Sequence, residues 1–214
     1  MCGRVTLAYD PEKIAKRFKA TSVAIDEYKR SYNIPPSAKM PIILEADKHR
    51  RMESAVWGLK REWASNIINL QAEKLAKGSF KKVLTVRRCI LPVDGFFEWG
   101  TFGGKKYPVY FKLKTGELFG MPAIYDEGEP KTFAIFTTTP NKIVAPVHHR
   151  MPAMLLPEQE DSWLDPKLND VDAAVAFLRP YPAELMEGYP VSPAVNSPKN
   201  DAPELLQQVK GPSR

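Results

Sequence analysis

Apolar residues fall into short strand-like runs through the middle of this chain and take helical spacing only toward its ends. Residues 89–92, 95–99, 107–113, 118–125 and 132–138 carry strand composition, separated by glycine-rich or charged turns. Residues 41–44 and 52–57 predict two earlier strands around a charged turn. The turns Phe102-Gly103-Gly104-Lys105 and Lys114-Thr115-Gly116-Glu117 predict antiparallel hairpins. Asp10-Pro11 reads as a helix cap and first helical position, with Ile14 and Phe18 following four residues apart. Short helices are predicted over 70–77, 79–86, 157–164, 170–178 and 182–187, a loop over 32–36, and a proline-punctuated tail over 191–214. The 20 prolines argue against a bundle of long helices. Strands in runs with helices toward the ends predict an α+β fold: an antiparallel β-rich core, partly barrel-like, with peripheral short helices. No internal repeat or linker divides the 214 residues, so one domain over 1–214 is expected.

Composition narrows the functional classes. Apolar residues make up 43% of the chain, enough for a packed core, yet no apolar run approaches the ~20 residues of a membrane span. The N-terminus reaches Asp10 and Glu12 without a hydrophobic stretch, so no signal peptide is expected and a cytoplasmic location fits best. Two cysteines and no C-x-x-C exclude a disulfide framework and argue against a structural zinc site. A formal charge of +6 permits nucleic acid as a partner without requiring it, and the basic clusters at 48–51, 81–82 and 87–88 read more readily as solvated faces than as binding sites.

Cys2 is the most suggestive residue. If Met1 is removed, the mature chain begins with a free α-amine beside a thiol, a 1,2-aminothiol. The α-amine titrates near ~7.8 against ~10.4 for lysine, so much more of it is neutral and nucleophilic at physiological pH. Such an amine condenses with an aldehyde to an imine, and the adjacent thiol can close onto the imine carbon as a five-membered thiazolidine. The plainer reading is a small residue after the initiator. Glu98 interrupts the aromatic strand Gly95-Phe96-Phe97-Glu98-Trp99 and, by alternation, shares a face with Phe96. A carboxyl beside aromatics tends to a raised pKa and can exchange protons near neutrality; the alternative is an edge glutamate in solvent.

His148 and His149 are adjacent, so on an extended segment they point to opposite faces and one of them could shuttle protons in a pocket. Arg150 would then share the face of His148 and could meet a phosphate. Asn69 could be a helix cap. Trp57, Trp63, Trp99 and Trp163 read as core residues more readily than as base-stacking platforms, and Cys89 as a buried packing residue. Gly100 to Lys106 resembles a phosphate loop only superficially, being one residue short and having lysine where a metal-binding hydroxyl belongs.

In order, Met1-Cys2-Gly3-Arg4, Tyr32-Asn33-Ile34-Pro35-Pro36, Trp57-Gly58-Leu59, Asn69-x-x-Ala72-Glu73, Arg87-Arg88-Cys89-Ile90-Leu91-Pro92, Asp94-Gly95-Phe96-Phe97-Glu98-Trp99, Thr137-Thr138, His148-His149-Arg150-Met151-Pro152 and the tail from Val191 to Leu205 resemble the SRAP (SOS-response-associated peptidase) family, whose members process abasic sites in DNA. The resemblance implies that Cys2 is the nucleophile, that Asn69 and Glu98 surround its amine and thiol, and that His148 handles protons on the opened sugar. It also implies a narrow groove for single-stranded DNA, with Arg4, Thr137 and Arg150 near the phosphates and the abasic position, and Asn33, Pro36 and Trp99 at flanking bases. Gln71 stands where the family usually has arginine, which weakens or moves a phosphate contact. The implied activity is covalent capture of abasic single strands, with lyase behaviour open at the imine stage. A Cys2 peptidase and a non-covalent single-strand binder remain the rivals. No cofactor or metal is expected, nor a membrane partner; a monomer is.

Overall fold

The computed structural model describes residues 2–26, 28–62, 64–77 and 80–211. Its strands are β1 Val5–Leu7, β2 Ser22–Ala24, β3 Ser31–Ile34, β4 Lys39–Ala46, β5 His49–Trp57, β6 Leu59–Arg61, β7 Ala64–Ile67, β8 Asn69–Gln71, β9 Arg88–Val93, β10 Gly95–Phe102, β11 Lys105–Leu113, β12 Phe119–Asp126, β13 Thr132–Thr138, β14 Met151–Pro152 and β15 Met186–Pro190. The α-helices are short: α1 Pro11–Arg17, α2 Lys81–Val86, α3 Pro157–Leu164 and α4 Val171–Val175. No described helix is long and apolar enough to cross a membrane.

Two sheets carry the fold. One is antiparallel, in the order β15-β11-β10-β1-β3. In the other, the path β13-β12-β9-β4-β5 closes on itself because β5 also pairs β13, in parallel, at Thr132↔Val56 and Phe133↔Trp57. The ring removes most of that sheet's free edges and is the barrel-like part of the α+β fold. One continuous core, including Trp57, Phe96, Phe111, Phe133, Phe136 and Trp163, runs through both sheets.

Strand β10 ties this core to the site. Phe96 belongs to the main core, whereas Phe97 joins a second cluster with Tyr110, Val191, Val195 and Leu205, against which Trp99 packs. The outer face of the sheet is therefore covered by the C-terminal tail. Gly95 is required where β10 begins, because a Cβ there would lie 2.2 Å from the Tyr110 hydroxyl oxygen. The β10–β11 hairpin turns through Gly103 and Gly104 at φ of 54° and 78°, a left-handed pair that twists with its strands.

Several elements depart from the sequence reading. The stretch from Lys114 to Glu117 is not a hairpin: it carries the chain from β11 in one sheet to β12 in the other. Turn chemistry fixes a local reversal but not the partner of the next strand, and the edge of β11 is taken by β15 instead. Residues 32–34 belong to edge strand β3, paired with β1 at Val5↔Ile34, and only Pro35 and Pro36 lie beyond it. Within 182–187 only Ala183–Leu185 forms a helical turn, of 3-10 type, before β15 starts. Residues 70 and 71 belong to β8, and the following helix is a 3-10 segment over Ala72–Lys77. Helix α4 is shorter than expected, started by Asp170, whose carboxylate accepts from the Ala173 N–H at 2.7 Å. The readings for Trp63, Ser79 and residues 212–214 fall outside the described residues.

Candidate functional site

Cys2 is buried at the start of the chain, just before β1, with no exposed surface. Its carbonyl accepts a 2.7 Å hydrogen bond from Asn69 Nδ2. Asn69 is not a helix cap. It opens β8, which is laid along β13 in parallel register, Ile135↔Asn69 and Thr137↔Gln71. Its other polar side-chain atom, Oδ1, is buried with no hydrogen-bond partner among the described residues. Burial pushes the Cys2 thiol up and the charge of Glu98 pushes it further, so the thiol holds its proton at neutral pH.

Glu98 is 3% exposed, on the Phe96 face of β10, as the alternation required. Burial raises its pKa from 4.5 to about 7, against the opposing pull of the chain's amino terminus. The group therefore stands near half-ionisation at physiological pH, where a proton can be taken or given at little cost. Glu98, Trp99, Lys106, His148 and Asn196 together line an open cavity of about 450 Å³. A larger cavity of about 570 Å³, lined by Leu113, Leu118, Tyr181 and Leu185 among others, shares none of these residues.

His148 and His149 do not point apart. The segment before them is a run of turns, and their rings stack with centroids 4.4 Å apart. Extended geometry, which alternation presumes, is absent at this point. The Arg150 N–H stands 3.0 Å from His148 Nδ1, and the neutral ring accepts that bond in the tautomer that carries its proton on Nε2. Burial lowers the His148 pKa, favouring that neutral form. On protonation, Nδ1 could donate instead to the Arg150 carbonyl, also 3.0 Å away.

The two arginines are held by the protein itself. Arg150 makes a two-pronged pair with Glu73, at 2.8 and 2.9 Å, and donates to the Thr137 carbonyl at 2.6 Å and to its hydroxyl at 3.3 Å. Thr137 is wholly buried and touches the site through Arg150. Arg4 donates to Asn33 Oδ1 at 2.6 Å and to the Val195 carbonyl at 2.8 Å, with its guanidinium 5.8 Å from the Trp99 ring centroid. Arg4 Nε and Arg150 Nε are both buried without a partner.

Asn33 borders a small cavity together with Tyr28, Ile34 and Pro35. It is 2% exposed, and Nδ2 donates to the carbonyls of Val195, Ser197 and Asn200, so it clamps the tail. A side chain so spent cannot read a base. Trp99 is half-buried, its indole N–H fixed on Asn196 Oδ1 at 2.7 Å. Pro36 and Gln71 are also half-buried, Gln71 on β8 two residues after Asn69. Trp57, Trp163 and Cys89 are buried, as expected. The sequence reading missed Lys106, Asn196 and Glu73. Glu73 lay in a recognised motif and Asn196 in the matching tail, though neither was singled out; a lysine after a Gly-Gly turn carries no local signal.

The family described as SOS response associated peptidase (SRAP) matches residues 1–198. This chain belongs to that family. The protein from Bacillus subtilis (strain 168) called "Abasic site processing protein YoqW" is 40% identical over 222 aligned positions, covering 97% of this chain and 99% of that one. "Abasic site processing protein YedK" of Escherichia coli (strain K12) is 30% identical, covering 95% of this chain and 89% of its own. Among solved structures, the crystal structure of a Bacteroides thetaiotaomicron protein superposes with a TM-score of 0.83 at 27% identity, covering 98% of this chain and all of that one. The SRAP fold thus extends over essentially the whole of the present chain.

Proposed function

We propose that this SRAP protein captures abasic sites in single-stranded DNA during the response to DNA damage, bonding covalently through Cys2. One observation carries the reading. Cys2 is buried, pinned through its carbonyl by Asn69 and charge-coupled to Glu98, whose carboxyl opens on the same cavity as His148. The names of the SRAP relatives supply the substrate class.

Removal of Met1 would free the Cys2 amine. That amine attacks the aldehyde of the ring-opened deoxyribose, one water leaves, and a C=N bond forms. The thiol then adds across this bond: sulfur bonds to carbon, the thiol proton ends on nitrogen, and the thiazolidine closes. Glu98, titrating near 7, takes the proton released at the amine and returns it to the departing hydroxyl. The buried Oδ1 of Asn69, whose Nδ2 holds the Cys2 carbonyl, accepts from the amine and orients it. His148, held toward its neutral form by burial, serves the sugar hydroxyl. Abstraction of a proton beside the imine would instead cut the strand by β-elimination, so lyase turnover and stable capture share one intermediate. An intact base leaves no aldehyde, so selectivity comes from the chemistry itself. The chain acts as one unit and as a monomer, in the cytoplasm where its DNA is.

A denaturing gel of protein mixed with an abasic single strand tests this reading. Wild type should give a shifted band without reductant. Cys2→Ala should give none, and Cys2→Ser at most a labile species. A band of equal intensity from Cys2→Ala would overturn the mechanism.

A further inference from the structure

We infer that Lys106 is the phosphate contact of this cavity, the cation that receives the backbone of the bound strand beside Trp99. The inference rests on the proposed DNA substrate and adds to it a residue that neither the motifs nor the relatives point to.

The SRAP site has two obvious phosphate ligands, Arg4 and Arg150, but both are committed inside the protein. Arg150 is paired in two-pronged fashion with Glu73, a geometry that uses both terminal nitrogens on a carboxylate. Arg4 is spent on Asn33 and the Val195 carbonyl, and is partly buried. Lys106 is exposed, lines the cavity with Glu98, Trp99, His148 and Asn196, and forms no ion pair with any described residue. It is the lysine of the cavity wall.

The strand register places it usefully. Across the β10–β11 hairpin, Thr101 pairs with Lys106 and Trp99 with Pro108. Directly opposed residues share a face of the sheet, so Lys106, Thr101 and Trp99 lie on one side. Two residues along a strand span about 7 Å, so an ammonium on a flexible stem stands one such step from a fixed indole. The indole is held by Asn196 and by Arg4 over its ring, so it does not need to be ordered on binding. A π-face for a base with a neighbouring cation for its phosphate is the combination that binds single strands without reading sequence. Lys106 lies two residues after the Gly103-Gly104 turn that closes this hairpin.

The test uses the full chain and a short fluorescent single strand carrying a tetrahydrofuran lesion, which has no aldehyde and reports binding alone. Lys106→Ala should weaken binding at low salt and lower the log–log salt slope by about 0.7, the value for one phosphate contact on a single strand. Lys106→Arg should restore the slope, and Lys106→Glu should weaken binding further. With a true abasic strand, the loss should appear as a higher half-saturating DNA concentration rather than a slower saturated rate of crosslinking. Urea midpoints equal to wild type exclude misfolding, as an exposed position leads one to expect. An unchanged slope in Lys106→Ala, or failure of Lys106→Arg to restore it, overturns the inference while leaving wild-type crosslinking, and so the proposed function, intact. A wild-type protein that binds the tetrahydrofuran strand but never crosslinks a true abasic strand sinks the covalent chemistry and leaves the Lys106 contact standing.

Discussion

Replacing Glu98 by glutamine should make the protein more stable and less active at the same time. The carboxyl is 3% exposed and its pKa is raised from 4.5 to about 7, with burial as the leading cause. Between those two values the unfolded chain has already released the proton that the folded chain still holds. Folding stability therefore falls as pH rises from about 4.5 to about 7, and the loss is complete above that. At roughly 1.4 kcal/mol per tenfold change, the cost at pH 8 is on the order of 3 kcal/mol. Glutamine keeps the shape and cannot ionise, so it avoids this cost. Urea unfolding at pH 5, 6, 7 and 8 should show wild type and Glu98→Gln close together at the acid end and diverging steadily, the variant ahead by a few kcal/mol at pH 8. Crosslink formation by the same variant should slow by roughly 10²–10⁴-fold, the usual loss when a proton-transfer group is removed. A stability difference independent of pH would refute the buried-acid assignment, and an unaltered crosslinking rate would reduce Glu98 to a structural role.

Asn33→Ala should destabilise the fold by about 1–3 kcal/mol, since it strands three tail carbonyls and the Arg4 guanidinium. Hydrogen exchange should quicken first in the segment around Val195; a tail as protected as in wild type would show that the clamp is dispensable. Glu73→Gln should release Arg150 toward phosphate, tightening binding to intact single strands and steepening the salt slope by up to about 0.7. Weaker binding instead would mean that Glu73 holds Arg150 in its working position.

The strands of this fold were legible wherever apolar and β-branched residues cluster, as in Thr132–Thr138. The face of Glu98 was legible too, by alternation from Phe96, but its burial was not, because an edge glutamate in solvent fitted the same pattern. Strand β15 was not, for it contains Gly188 and Pro190 and owes its conformation to the waiting edge of β11. Ring closure between β5 and β13 rests on two residue pairs some 76 positions apart in the chain, a contact no local pattern encodes. The motif containing Asn33 was visible, but its clamp on the carbonyls of Val195, Ser197 and Asn200 was not, because those partners lie more than 160 residues along the chain. The stacked histidines were misread, since alternation holds only where the backbone is extended.

Intact-mass spectrometry of the protein after incubation with an abasic single strand bears most directly on the role of Cys2. The expected product has the mass of a chain beginning at Cys2, plus the strand, less one water, because ring closure by the thiol changes no further atoms. Fragmentation should place the strand on Cys2. An adduct that retains Met1, or that maps to a lysine, would contradict the account.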